Sequence, residues 1–226
     1  MSWRLGTMLT DALAATGKDR PRVCLVNTAM GDNLNYYAFS YEAFNAAGCD
    51  VTEFKVFPQP SADPEERLGG SDLVWVGGGS VANLLALWRL HGIDTAMRSA
   101  WERGVILAGV SAGSICWHLG GTTDSFGPTL QPVTNALGFL PYANGVHYDG
   151  EEQRRPLMHT LMKSGVLAPL AYATDNSVGI WYEGLEATSV VSDSVVDPVT
   201  GPAAYRVELV YGEVIETRVG VGGKFN

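Results

Sequence analysis

Two glycine clusters and one loop histidine carry the residues whose types and spacing could do covalent chemistry. In Gly109-Val110-Ser111-Ala112-Gly113 a single hydroxyl sits between glycines at two-residue spacing. It follows the apolar run Val105 to Val110 and precedes small and aromatic residues with helical texture. A serine on such a strand-to-helix turn has its hydroxyl pushed outward, because the glycines keep other side chains away. The same turn leaves the Ala112 amide at a helix start, aimed where an oxyanion would form. A second cluster, Gly77-Gly78-Gly79-Ser80, closes the run Leu73 to Val76. Three glycines let backbone amides approach a ligand, which suits the other half of an oxyanion hole. A phosphate-binding loop is the weaker reading, since neither a P-loop lysine nor a GxGxxG pattern follows.

A serine hydroxyl is a poor nucleophile near neutral pH and needs a base, usually with a carboxylate behind it. The chain has 4 histidines. His118 falls too far along the helix predicted to leave Ser111 to touch its hydroxyl. His91, in a turn, and His159, in an amphipathic segment, read as structural or solvated. His147 ends the strand-like run Tyr142 to Val146 and is followed by Tyr148-Asp149-Gly150, so a loop can deliver it over the serine. The acids available to orient it are Asp124, Asp149 and Glu151. Asp124, in Thr123-Asp124-Ser125-Phe126-Gly127, also suits a turn-initiating role.

The elements that must position these groups alternate along the first half. Strand-like runs at Val23 to Asn27, Val51 to Val56, Leu73 to Val76 and Val105 to Val110 are short, β-branched and closed by polar residues or glycine. Helical spacing marks Leu5 to Leu13, then Asp32 to Gly48 with Asp32 as N-cap and Gly48 as stop, then Val81 to Arg89, and Ile93 to Trp101. The segment Pro58 to Gly70 reads as a loop. Near-continuous apolar strands separated by helices predict an α/β fold with a parallel sheet covered on both faces. After a helix over residues 151–163 the texture turns β-rich, at Leu170 to Ala173, Val178 to Tyr182, Thr188 to Val191 and Tyr205 to Val210. One domain spanning residues 1–226 is the expectation.

Composition narrows the function classes. The 226 residues are 46% hydrophobic and 17% charged, a globular profile, and the net charge of −9 repels phosphate backbones and anionic lipid. Nucleic acid and membrane are therefore not expected partners. The 3 cysteines are scattered, with no CxxC spacing, and read as buried thiols. Asp11 interrupts the only stretch that could serve as a signal peptide, so a cytoplasmic protein is expected.

Taken together, Val76-Gly77-Gly78-Gly79-Ser80 with Asn83-Leu84-Leu85, Gly109 to Ser114, Thr123 to Gly127 and His147-Tyr148-Asp149 resemble the peptidase E and cyanophycinase family of serine peptidases in order and spacing. The resemblance implies a flavodoxin-like fold related to class I glutamine amidotransferases, with serine in place of cysteine. Carried onto this chain, it implies Ser111 as nucleophile, His147 as general base, the amides of Gly79 and Ala112 as oxyanion hole, and Asp124 at the position of an acidic residue near the site. Where the family often has Asn-Thr after its glycine run, this chain has Ser80-Val81. Peptidase E prefers dipeptides with N-terminal aspartate, which calls for a cation; Arg89, Arg154 and Arg155 are the candidates.

The expectation is a serine exopeptidase acting on short peptides, with no metal or organic cofactor. The rivals are an esterase of the α/β-hydrolase type and a non-catalytic amidotransferase-like binding module.

Overall fold

The β-branched runs of the first half pair as expected in a computed structural model that describes residues 4–225. The chain divides into two compact units, Met1–Ser114 and Ile115–Asn226. In the first, β1 (Arg22–Val26), β2 (Asp50–Phe54), β3 (Leu73–Val76) and β4 (Ile106–Gly109) form a parallel sheet in the order β2-β1-β3-β4. Val23, Cys24, Leu73, Val74 and Val76 are fully buried, which is what a sheet covered by helices requires of its inner strands.

The same unit holds α1 (Thr7–Ala15), α2 (Leu34–Ala46), α3 (Pro64–Gly69), α4 (Val81–His91) and α5 (Ile93–Glu102). Helix α2 packs on β1 and β2, and α3 on β2 and α5. Ser80 caps α4 by accepting the Asn83 N–H, and Gly92 ends that helix in the left-handed region.

Local chemistry changes three expected boundaries. Asn33, not Asp32, caps α2 by accepting the N–H groups of Asn35 and Tyr36. Asp32 is buried at φ 55, where its carboxylate receives the Tyr37 hydroxyl and the N–H groups of Val56 and Phe57. The segment expected as a loop holds α3, because Asp63 caps it, Pro64 opens it, and Glu65 and Glu66 favour its first turn. The helix after Ser111 is one turn only, α6 (Ala112–Ile115), so His118 lies beyond it.

The second unit carries the expected β-rich texture and more strands than the periodicity predicts. Strands β5 (Gly120–Thr123), β6 (Gln131–Val133), β7 (Ala143–Gly145), β8 (Leu170–Thr174), β11 (Ala203–Val210) and β12 (Glu213–Gly220) form a mixed sheet in the order β12-β11-β8-β7-β5-β6. Strands β9 (Val178–Glu183) and β10 (Glu186–Ser192) pair as an antiparallel hairpin. Helix α7 (Arg154–Lys163) buries Met158 and Met162 against Ala143, Ala171, Ala173 and Val207. Gly145 is required by that packing, since a Cβ there would lie 2.8 Å from the Ala173 Cβ and 3.0 Å from the Met158 sulfur. No helix among the described residues is long and apolar enough to cross a membrane.

Candidate active site

In the first unit, close backbone packing explains the glycines around Ser111. A Cβ on Gly109 would lie 2.2 Å from the Gly113 carbonyl oxygen, and one on Gly113 would lie 2.3 Å from that of Val76. Either side chain would force β3, β4 and the turn apart. The turn is held by Val110 N–H donating to Val76 O at 3.1 Å, Gly113 N–H to Val110 O at 2.9 Å and Ser114 N–H to Ser111 O at 2.9 Å. Ser111 itself sits at φ 54, a left-handed conformation that costs a non-glycine residue on the order of 1 kcal/mol. The surrounding hydrogen bonds and the Gly109–Gly113 contact keep it there.

The second glycine cluster lies beside this turn. A Cβ on Gly78 would stand 3.3 Å from the Ser111 Cβ. Gly79 has φ 128, and a Cβ on it would lie 2.4 Å from the Ala29 carbonyl oxygen, so only glycine fits there. Ala112 opens α6, where a first-turn N–H has no acceptor within the helix. The first unit thus brings together Ser111, Ala112 and the Gly77 to Gly79 loop at the carboxyl ends of β3 and β4, where open parallel sheets bind ligands.

In the second unit, His147 follows β7 at φ 52. Its Nδ1 lies 2.6 Å from Oδ1 of Asn176, in the turn after β8. An amide oxygen only accepts, so Nδ1 is the donor in this contact, which leaves Nε2 as the acceptor of the neutral ring. The Asn176 N–H donates to Asp149 Oδ1 at 2.8 Å, and a Cβ on Gly150 would lie 2.5 Å from the Asn176 Nδ2. The segments 147–150 and 175–177 therefore grip one another through the residue that meets the histidine.

The three acids weighed from the sequence go elsewhere. Asp124 is exposed in the turn after β5, its carbonyl accepting the Gly127 N–H at 3.1 Å. Asp149 holds the Asn176 backbone, and Glu151 receives the Arg154 guanidinium at 3.0 Å. None of the three bonds to the His147 ring among the described residues. Arg154 is buried and also donates to the Thr122 carbonyl at 3.0 Å, so it braces β5. Arg155 lies over the rings of Tyr148 and Tyr205, and Arg89 is exposed in the last turn of α4. His118 is buried, its Nε2 3.3 Å from the Tyr182 hydroxyl, and His159 bonds to Tyr148 and Glu216. Both bond to side chains of the second unit.

Sequence reasoning missed Asn176. The only signal was the polar triplet Asp175-Asn176-Ser177 between two apolar runs, which any turn would also use.

An α/β unit with a strained serine at a strand-to-helix turn beside a glycine loop is the arrangement in which many hydrolases carry their nucleophile. The sequence profile of peptidase family S51 matches residues 4–190, and the chain belongs to that family of serine peptidases. It is 38% identical over 199 residues to the uncharacterized peptidase YgaJ of Bacillus subtilis (strain 168), covering 88% of this chain and 83% of that one. It is 30% identical over 128 residues to peptidase E of Streptomyces coelicolor, covering 56% of this chain and 51% of that one, so this match spans about half of each. Among solved structures, a peptidase from an acI-B1 Actinobacterium superposes with a TM-score of 0.70 at 14% identity, covering 97% of this chain and 88% of that one, which is a likeness of fold.

Proposed function

We propose that this peptidase hydrolyses short peptides through an acyl-enzyme, with Ser111 as nucleophile and His147 as general base. The observation that carries the reading is Ser111 at φ 54 on the turn between β4 and α6, held by glycines that admit no side chain. His147 Nε2 takes the Ser111 proton as the oxygen attacks the scissile carbonyl. The amides of Gly79 and Ala112 receive the developing oxyanion. His147 then protonates the leaving amine, and water hydrolyses the acyl-enzyme by the same route. Asn176 orients the ring by accepting from Nδ1, and Asp124, the acid of the family resemblance, is the alternative orienting group. Dipeptides with N-terminal aspartate are the first substrates to try, and the cytoplasm is the expected location.

The test is a fluorophosphonate probe combined with panels of dipeptides and simple esters. Wild-type protein is expected to label and to cleave dipeptides faster than esters, and Ser111→Ala to lose both labelling and turnover. Labelling that persists in Ser111→Ala, or a wild type that neither labels nor cleaves any dipeptide, refutes the reading.

A further inference from the structure

The His147–Asn176 contact joins two loops, and the residue next to each member is tied into one polar cluster. Tyr148 follows His147, and its hydroxyl donates to Glu216 Oε1 on β12 at 2.6 Å. Asp175 precedes Asn176, and its Oδ2 accepts the Tyr205 hydroxyl at 3.1 Å and the Ala203 N–H at 2.9 Å, both from β11. Over both tyrosine rings lies Arg155 of α7, its guanidinium carbon 4.5 Å from the Tyr148 ring centroid and 4.7 Å from that of Tyr205. Its Nε is 3.5 Å from Glu216 Oε1, which also meets His159 Nε2 at 2.8 Å. The Tyr148 and Tyr205 rings are 5.4 Å apart.

A planar guanidinium can lie over both rings and still donate hydrogen bonds from its edge. Burial, and then the Glu216 carboxylate, push the Tyr148 hydroxyl well above its ordinary range, so it remains a donor throughout the working pH range. The Tyr148 N–H also donates to the Thr174 carbonyl at 3.1 Å, one residue before Asp175. The cluster therefore fixes the spacing of the two segments whose tips are His147 and Asn176.

We propose that Arg155 is a positioning residue for the base: lying over the paired rings of Tyr148 and Tyr205, it holds the 147–150 and 175–177 segments in the register that brings Asn176 Oδ1 to His147 Nδ1. This rests on the reading of His147 as general base. Arg155 touches no reacting atom in this role. It acts through the tautomer and direction of the imidazole, and 1 Å of misplacement at such a group costs far more in turnover than in substrate binding. Of the arginines weighed as substrate anchors, Arg155 is thereby committed to the fold.

Arg155→Met keeps the aliphatic stem and removes the guanidinium, whereas Arg155→Lys keeps the charge. Arg155→Met is expected to lower kcat about tenfold or more with KM within about twofold, and Arg155→Lys to recover to within about fivefold of wild type. Histidine-ring correlation spectra provide a readout that does not need turnover. The His147 signals of a single Nδ1–H tautomer should give way to averaged ones in Arg155→Met. A folded Arg155→Met with wild-type kcat and ring signals overturns the proposal. So does an equal fall of kcat and thermal midpoint in both variants with unchanged ring signals, which would make the role one of general stability. If Arg155→Met does not fold, Arg155→Gln, which removes the cation over both rings but keeps a polar side chain, must still shift the His147 ring signals, and unchanged signals refute the proposal. Wild-type turnover in His147→Ala would refute the general-base reading instead, leaving the ring spectra to decide on Arg155.

Discussion

At the scale of single residues, the proposed general-base role of His147 turns on which group faces its Nδ1. Asn176 does so with an oxygen, and its own backbone is held by Asp149. A neutral amide selects the tautomer needed for proton transfer as a carboxylate would, but it adds no charge to stabilise the imidazolium. Asn176→Leu is accordingly expected to lower kcat by about 10- to 100-fold with little change in KM, and Asp124→Asn to stay within about threefold of wild type. Steady-state kinetics on one dipeptide check both. The reverse order of effects would make Asp124 the orienting group. Asp124 stood out in the sequence because acids are the usual third members. Asn176 did not, because an amide in a turn triplet carries no distinguishing pattern.

At the scale of elements, the strands of the first unit are tied at their amino ends by a side chain that the hydrophobic pattern does not reveal. Asp72, just before β3, accepts from Arg22 at the start of β1 three times: from the backbone N–H at 2.8 Å, from Nε at 3.2 Å and from Nη2 at 3.0 Å. These bonds hold the Asp72 carboxyl below the usual carboxylate range. A depressed folded pKa means that the carboxylate stabilises the fold above the ordinary carboxylate range, and that this contribution disappears as pH falls through the folded value. Asp72→Asn should therefore cost about 0.5–1 kcal/mol at neutral pH, a modest figure because the Arg22 side chain is 56% exposed and screened by solvent. Denaturant melts of the two proteins should converge as the pH falls below the carboxylate range. A gap that persists unchanged in acid would rule out the charge as its origin.

At the scale of the whole chain, burial governs the reactivity of the thiols. Cys24 and Cys116 are fully buried and Cys49 nearly so. Burial pushes the Cys24 thiol up to about 12, raises Cys49 and lifts Cys116 well above its ordinary range. Thiolate is the reactive form, so the native protein should leave a chromogenic disulfide reagent nearly untouched at neutral pH, and all 3 thiols should react after denaturation. Rapid reaction of a thiol in the folded protein would contradict that burial. The net charge of −9 acts on the same scale, as a field that disfavours polyanionic partners.

The sequence by itself determined the α/β alternation, the parallel strands of the first unit, the glycine-flanked serine and the membership of a serine peptidase family. Each of these is written in local pattern: β-branched runs at strand length, caps and stops at helix ends, and glycines where the backbone must pass close to itself. The one-turn α6, the Asp63-capped α3 and the strands β5, β6 and β12 were less legible, because short elements depend on neighbours far along the chain. Only the tertiary structure decided what surrounds His147. Its ring meets Asn176, and Arg155 lies over the rings of Tyr148 of the His147 loop and Tyr205 of β11. Those contacts join residues from three or more elements, and a hydrogen bond or ring contact between distant segments leaves no periodicity in the chain that makes it.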